Sequence, residues 1–214
     1  MKKRDTKTVI LDAAELLFAR KGPNGTSLRE VIGHARVNLA AIHYHFGSKH
    51  ELLDAVLSRR LASLNGERLG LLADFEAKLG RRPVSLEQVL HALIAPALRL
   101  SRDPRRGGET FMRLLGRCFT EPDERLQQML TRHFEQVAIR FTSAIQKSLP
   151  KLPPVDLFWR IHFMIGAMAH TMADTRRVRE NSKGLCDPDN TNEVIARLTA
   201  FLSAGFRCKP TLSR

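Results

Sequence analysis

The stretch that decides the fold is Thr26–Lys49, TSLREVIGHARVNLAAIHYHFGSK. Ser27 and Glu30 have the spacing of a capping box, in which each side chain bonds the backbone of the other residue at a helix start. Asn38 suits the N-cap of a second short helix, and Gly47 ends that helix. Two short helices joined by a tight turn predict a helix-turn-helix, whose second helix enters the major groove of DNA.

The sequence predicts a further helix on each side of this stretch. Upstream, apolar residues recur at helical spacing over residues 9–18, and Gly22 has the position of a helix end. We expect this first helix to support the two DNA-reading helices. Downstream, residues 47–64 form a connecting helix, which we expect Asn65 and Gly66 to interrupt.

The rest of the chain has the same helical periodicity. We predict helices over residues 69–79, 86–100, 109–120, 122–149 and 155–176, and a last one that begins near residue 191. The sequence has no strand pattern and no internal repeat. The predicted fold class is therefore all-α, with a three-helix helix-turn-helix domain over residues 1–50. A larger helical domain for effector binding and dimerisation is expected over residues 51–214.

Composition narrows the function class. The 214 residues carry a formal net charge of +13, which fits a polyanionic partner. Cys118, Cys186 and Cys208 are too few and too scattered for a disulfide framework or a zinc module, so we expect inert packing in a reducing cytosol. The most apolar segment, Ile161–Ala173, is too short to span a bilayer. We predict a cytoplasmic protein without a membrane partner.

Candidate DNA contacts follow from the helix-turn-helix. The leading turn of the second helix would face base edges, where small apolar side chains contact thymine methyl groups. Lys49 is the strongest candidate for a phosphate contact, because it lies at a helix N-terminus. For Ser27 and Asn38 the alternative is capping alone. The full candidate set is Lys3 and Arg4 in a basic arm, Thr26, Ser27, Asn38, Leu39, Ala40, Ala41, His43, Tyr44 and Lys49.

Metal and cofactor chemistry find little support. His43, His45 and His50 do not have the spacing of a closed zinc site, and no cysteine completes one. The sequence also has no G-x-S-x-G, no glycine-rich phosphate loop and no H-E-x-x-H. We therefore expect no metal, no cofactor and no enzymatic activity.

The combination of these motifs resembles the DNA-binding signature of TetR-family repressors. The resemblance rests on ILDAAELLFARKG at residues 10–22, TSL at 26–28, ARV at 35–37, IHYHF at 42–46 and SKHELL at 48–53. It implies a ligand-responsive repressor that binds an inverted repeat in double-stranded DNA as a homodimer. The last two long helices would pack against their mates as a four-helix bundle.

Large, soft apolar residues in the middle helices are typical of a lining for a long apolar ligand, although ordinary core is the alternative for each. The candidate ligand-binding residues are Phe111, Met112, Leu115, Phe119, Phe134, Trp159, Phe163, Met164 and Met168. FMRLLGRCFTEP, LPPVDLFWRIHFMIGAMAHTM and RLTAFLSAGFR also resemble the PsrA-type branch of the family. That resemblance implies control of fatty-acid metabolism genes and release by a long-chain fatty acid or acyl-CoA, with Arg113, Arg117, Arg160 or His162 facing its anionic group.

Three alternatives stay open at this level. A repressor of efflux or stress genes would respond to another lipophilic or cationic ligand, and an acidic residue in the cavity would favour it. An enzyme lacks the motifs above. A purely architectural DNA-binding protein would not need so large an apolar C-terminal half. Our hypothesis for the repressor is that the ligand enters between the middle helices, shifts the connecting helix and changes the spacing of the two recognition helices.

Overall fold

The computed structural model describes residues 5–173 and 176–209, where helices are joined by turns and loops and no strand occurs. The all-α fold class is therefore confirmed. The helices are α1 Thr6–Lys21, α2 Leu28–Ala35, α3 Leu39–Phe46, α4 Lys49–Leu79, α5 Leu86–Ser101, α6 Gly108–Thr120, α7 Glu124–Ser148, α8 Pro154–Ala173, α9 Arg176–Asn181 and α10 Thr191–Arg207. A short 3₁₀ turn, Pro104–Arg106, follows α5.

Helix starts in the DNA-reading stretch form as the sequence predicts. The Glu30 backbone N–H donates to Ser27 Oγ at 3.2 Å, and the Ser27 backbone N–H donates to Glu30 Oε2 at 2.8 Å. Hydrogen bonds from Lys21 and Ser27 lower the pKa of Glu30 to about 2, so this cap stays ionised well into acid. The Ala41 backbone N–H donates to Asn38 Oδ1 at 2.8 Å, which confirms the second cap.

The helices pack into two compact units. The first contains the chain up to Ser63 together with Gly107–His133, and the second contains Leu64–Arg106 and the chain from Phe134 onward. These units divide the chain differently from a boundary at residue 50, because α6 packs against α1. Helices α4 and α7 each contribute residues to both units.

A buried ion cluster holds α1 to α4 within the first unit. The Glu15 side chain on α1 is almost fully buried. Its carboxylate accepts hydrogen bonds from Arg59 Nη2 at 2.7 Å and from Arg60 Nε and Nη2 at 3.0 and 2.9 Å. Arg59 Nη1 also donates to the exposed Asp12 at 2.7 Å. A buried carboxylate with this many donors is stable only while they remain, because its desolvation cost is large.

Helix α4 is continuous over 31 residues, so the predicted interruption at Asn65 and Gly66 is wrong. Asn65 is buried, and its Oδ1 accepts a hydrogen bond from Arg68 Nη1 at 3.2 Å. This bond satisfies the polar side chain without a break in the helix. Arg68 Nε donates to Leu93 O of α5 at 2.9 Å. These contacts offset the cost of about 1 kcal/mol that a glycine brings to a helix interior.

The core of the second unit forms around α5. Helix α5 is buried over nearly its whole length and packs against α8 and α10. Arg160 of α8 fastens the end of α10, because its guanidinium donates to Phe206 O and to Cys208 O. No helix among the described residues combines the length and apolar character that crossing a bilayer requires.

The ion cluster generates a stability prediction. Replacing Glu15 with alanine leaves Arg59 and Arg60 without their shared carboxylate, so the free energy of unfolding should fall by about 3 kcal/mol. Urea denaturation followed by circular dichroism measures this change.

The matched control is Asp12→Ala, which removes the exposed partner of Arg59 and should cost less than about 1 kcal/mol. Equal losses in the two variants would contradict a special role for the buried carboxylate.

Candidate nucleic-acid interface and ligand cavity

Helix α3 has an inner and an outer face. Ile42 and Phe46 are buried and fix the helix to its unit. Leu39 and Tyr44 point outward, with 48% and 86% of their surface exposed, and Ala40 is exposed beside them. An exposed leading turn of small and apolar residues on a rigidly held helix is the arrangement that reads base edges in a major groove.

The remaining polar candidates on this surface have local roles as well. Ser27 and Asn38 are exposed and both serve as N-caps. His43 is exposed, and its Nδ1 lies 2.9 Å from Gly47 O. Ala41 is half-buried behind the leading turn. The structure thus brings Asn38, Leu39, Ala40, His43 and Tyr44 together on one short helix and its cap.

Two residues that the sequence predicts to contact DNA phosphates make hydrogen bonds within the first unit. Thr26 is buried, and its hydroxyl donates to Gly22 O at 2.9 Å, so its side chain has no surface to offer a phosphate. Lys49 Nζ donates to Pro23 O at 3.1 Å and to Thr26 O at 3.2 Å. We therefore assign Lys49 a bracing role between α4 and the loop that precedes α2. Lys3 and Arg4 lie outside the described residues.

Two exposed arginines in the same motif escaped the sequence prediction. Arg29 lies on α2, and Arg36 lies in the turn between α2 and α3. Arg36 has a φ of 53°, a left-handed conformation that a non-glycine residue adopts at a tight helix end. Their positions between the apolar residues of α2 and at the turn could have identified them as exposed cations available to phosphates.

The nine predicted ligand residues belong to both compact units, four to the first and five to the second. Phe111, Met112 and Leu115 are buried in the first unit, and Phe119 lies partly exposed on the same helix. Helix α6 packs against α1, so its apolar face serves that contact. None of the nine lines the cavity near α9 and α10 described below, or the cavity beside the loop between α7 and α8. A common lining for the nine residues stays a prediction.

The other five predicted ligand residues lie partly in the core and partly on the surface of the second unit. Phe134 is half-buried, and Met164 and Met168 are buried in the core of the second unit. Trp159 and Phe163 are exposed by 58% and 62% and stack on each other with ring centroids 5.7 Å apart. They face outward because the opposite side of α8 already fills the core.

These exposed rings belong to a larger apolar surface of the second unit. Val155 and Phe158 share the exposed side of α8 with them, and Phe201 is 70% exposed on α10. Exposed apolar patches of this kind mark interaction surfaces.

A cavity of about 510 Å³ lies elsewhere in the second unit, between α9, α10 and the ends of α5 and α8. Its size is that of a pocket for a small ligand. Its lining is Arg102, His170, Thr171, Arg177, Val178, Asn181, Cys186, Asp187, Pro188, Glu193, Val194, Arg197, Leu198 and Phe201.

The four cations predicted to face a ligand do not line this cavity. Arg113 pairs with Glu109 at 2.8 Å, and Arg117 donates to Arg20 O at 3.1 Å. Arg160 is used at the end of α10, as described above. His162 is exposed and lies edge-on to Trp159.

Of the cysteines, Cys118 is packed in the interior as expected, and burial raises the pKa of its thiol to about 12. Cys186 and Cys208 are exposed, so the expectation of packing is wrong for them.

Together, the all-α fold, the exposed reading helix and the separate helical unit define a helix-turn-helix regulator. The model for bacterial regulatory proteins of the tetR family matches residues 10–56, and the model for the tetracyclin repressor-like C-terminal domain matches residues 91–205. Because the second match covers more than half of the chain, the protein belongs to the TetR family of transcriptional regulators.

Individual relatives agree with this assignment. The HTH-type transcriptional repressor Rv3405c of Mycobacterium tuberculosis is 40% identical over 55 residues, 26% of this chain and 29% of the relative. The chain thus spans less than a third of the length of that relative. FadR of Bacillus halodurans, a fatty acid degradation regulator, has a TM-score of 0.63 at 13% identity over 98% of this chain and 100% of that one. FadR of Bacillus subtilis, in complex with stearoyl-CoA, has a TM-score of 0.64 at 12% identity over 92% and 98%. At these identities the likeness concerns the fold alone.

The exposure of the reading helix generates a prediction. Tyr44→Ala should weaken binding to specific DNA about tenfold, because the side chain is available to the duplex and supports little of the core. Fluorescence anisotropy of labelled DNA at fixed salt measures the affinity, and thermal melting should be unchanged.

Leu185→Ala is the control, since Leu185 is a 91% exposed apolar residue of the second unit. It should leave the affinity unchanged. A Tyr44→Ala variant that melts normally and binds as tightly as the wild type would exclude this face of α3 from the interface.

Proposed function

We propose that the protein is a homodimeric repressor of fatty-acid metabolism genes that a long-chain fatty acid or its acyl-CoA releases from DNA. The observation that carries the DNA-binding part is the exposed outer face of α3, with Leu39, Ala40 and Tyr44 available to a duplex. In functional terms residues 1–50 read DNA and residues 51–214 bind the effector and the second protomer.

The exposed rings on α8 and α10 support dimerisation. Trp159, Phe163 and Phe201 present large apolar surface that a second copy of the chain would cover. Gly166, Ala200 and Ala204, also exposed on these two helices, allow helices to approach closely. A symmetric dimer would present two α3 helices to the half-sites of an inverted repeat.

The fold of the FadR regulators supports a fatty-acid effector. The Bacillus subtilis FadR structure holds stearoyl-CoA, and the same fold here contains a cavity large enough for part of a long acyl chain. We propose that the effector acts through α4, which contributes residues to both units. Effector and DNA then bind with opposed affinities, and the coupling is equal in both directions.

A cationic effector and efflux targets form the second candidate. Asp187 and Glu193 line the cavity, which is the observation that favours this candidate. Each carboxylate is already bound by an arginine, Asp187 by Arg179 at 2.7 Å and Glu193 by Arg197 at 2.8 Å. The lining also has three arginines against two carboxylates, so an anionic effector fits the cavity better.

The experiment uses labelled DNA from the region upstream of the gene for this protein. Anisotropy should rise on titration with protein at fixed salt and fall when oleate or oleoyl-CoA is added below its aggregation concentration. Binding without release by either compound would contradict the fatty-acid proposal and favour the second candidate.

The stoichiometry of the same titration tests the dimer. The wild type should bind as two protomers per site. Trp159→Glu should sediment as a monomer and lose specific binding, because a charge would be buried in the proposed interface. A monomeric wild type, or a Trp159→Glu variant that stays dimeric, would contradict the proposed surface.

A further inference from the structure

The cavity of the second unit has an apolar wall. Val194, Leu198 and Phe201 of α10 line one part of it, and Val178 and Pro188 line another. Apolar side chains in a pocket of this size favour a ligand with a hydrocarbon portion. Three arginines and two carboxylates complete the charged part of the lining.

Arg102 differs from the other arginines of the lining. It follows the last residue of α5, and its Nε and Nη2 atoms are buried without a hydrogen-bond partner among the residues that the structure describes. Leaving a buried donor of a charged group unsatisfied is costly, because the group loses its bonds to water and gains none in return. Burial accordingly lowers the pKa of this guanidinium below its ordinary value.

The nearby carboxylates are committed to other arginines. Asp189 attracts Arg102 electrostatically, but its Oδ2 accepts a hydrogen bond from Arg179 Nη2 at 2.7 Å. Arg179 also binds Asp187. Glu193 accepts from Arg197 one helical turn away. Arg102 is thus an arginine of this lining with buried N–H groups that have no acceptor among the described residues, and an anion bound beside it would provide one.

We propose that Arg102 binds the anionic head group of an amphipathic effector whose hydrocarbon chain lies along Val194, Leu198 and Phe201. The guanidinium offers two N–H groups in a fixed fork, which matches a carboxylate or a phosphate. This inference rests on the proposed function and assigns its effector to a site that none of the residues predicted from sequence occupies.

The anion has two chemical sources. A free fatty acid has a carboxylate, whereas in an acyl-CoA that carboxyl group is an uncharged thioester and the charge lies on phosphates. Oleate and oleoyl-CoA therefore distinguish the sources, and oleyl alcohol provides the same chain without a charge.

Calorimetric titration of the full chain with each compound tests the site. Arg102→Gln should weaken the binding of the anionic ligand about tenfold or more, because a charge-assisted hydrogen bond is lost. Oleyl alcohol should bind the wild type and the variant equally. Arg105→Gln, an exposed arginine three residues away that does not line the cavity, is the matched control and should bind as the wild type does.

The cysteines provide a second readout that does not depend on the variant. Cys186 lines the cavity and is exposed, whereas Cys208 is exposed and does not line it. Bound ligand should slow the alkylation of Cys186 by iodoacetamide and leave that of Cys208 unchanged. Peptide mass spectrometry measures both rates in one sample.

The outcomes separate this site from the proposed function. A loss of oleate affinity alone assigns Arg102 to a carboxylate, and a loss of oleoyl-CoA affinity alone assigns it to a phosphate. Undiminished affinity of Arg102→Gln, or binding without protection of Cys186, would overturn the site and leave the fatty-acid effector standing. A wild type that binds neither compound would overturn both.

Discussion

The DNA-reading unit depends on one buried carboxylate. Glu15 accepts three hydrogen bonds from Arg59 and Arg60, and these bonds tie α1 to α4. Helix α1 in turn packs against α2, α3 and α6. Because a buried carboxylate is costly without its donors, α1 and α4 are held in one arrangement. The outward face of α3 is therefore presented from a fixed support, as groove recognition requires.

Buried arginines elsewhere face the same cost of burying a charged group, and they differ in whether their N–H groups find acceptors. Arg68, whose pKa burial lowers to about 10, donates to Leu93 O and to Asn65. Arg160 donates to two carbonyl groups at the end of α10. Arg102 has two buried N–H positions for which the described residues provide no acceptor. A satisfied buried cation stabilises a fold, whereas an unsatisfied one beside an apolar cavity is suited to binding.

Local signals in the sequence predicted the fold well, and long-range packing limited the prediction of the site. Ser27 and Asn38 act within three residues of themselves, so their capping roles could be predicted. The burial of Thr26 and the outward direction of Trp159 depend on neighbours distant in sequence, and periodicity does not specify which apolar face is covered. The role of Arg102 could not be predicted, because a single sequence does not reveal whether a buried guanidinium finds acceptors.

The central claim is that the binding of the effector and the binding of DNA weaken each other. The most direct test is the dissociation constant of oleate, measured by calorimetry with the protein alone and again with saturating specific DNA. The account predicts that DNA weakens oleate binding by the same factor by which oleate weakens DNA binding. An unchanged oleate dissociation constant in the presence of bound DNA would contradict it.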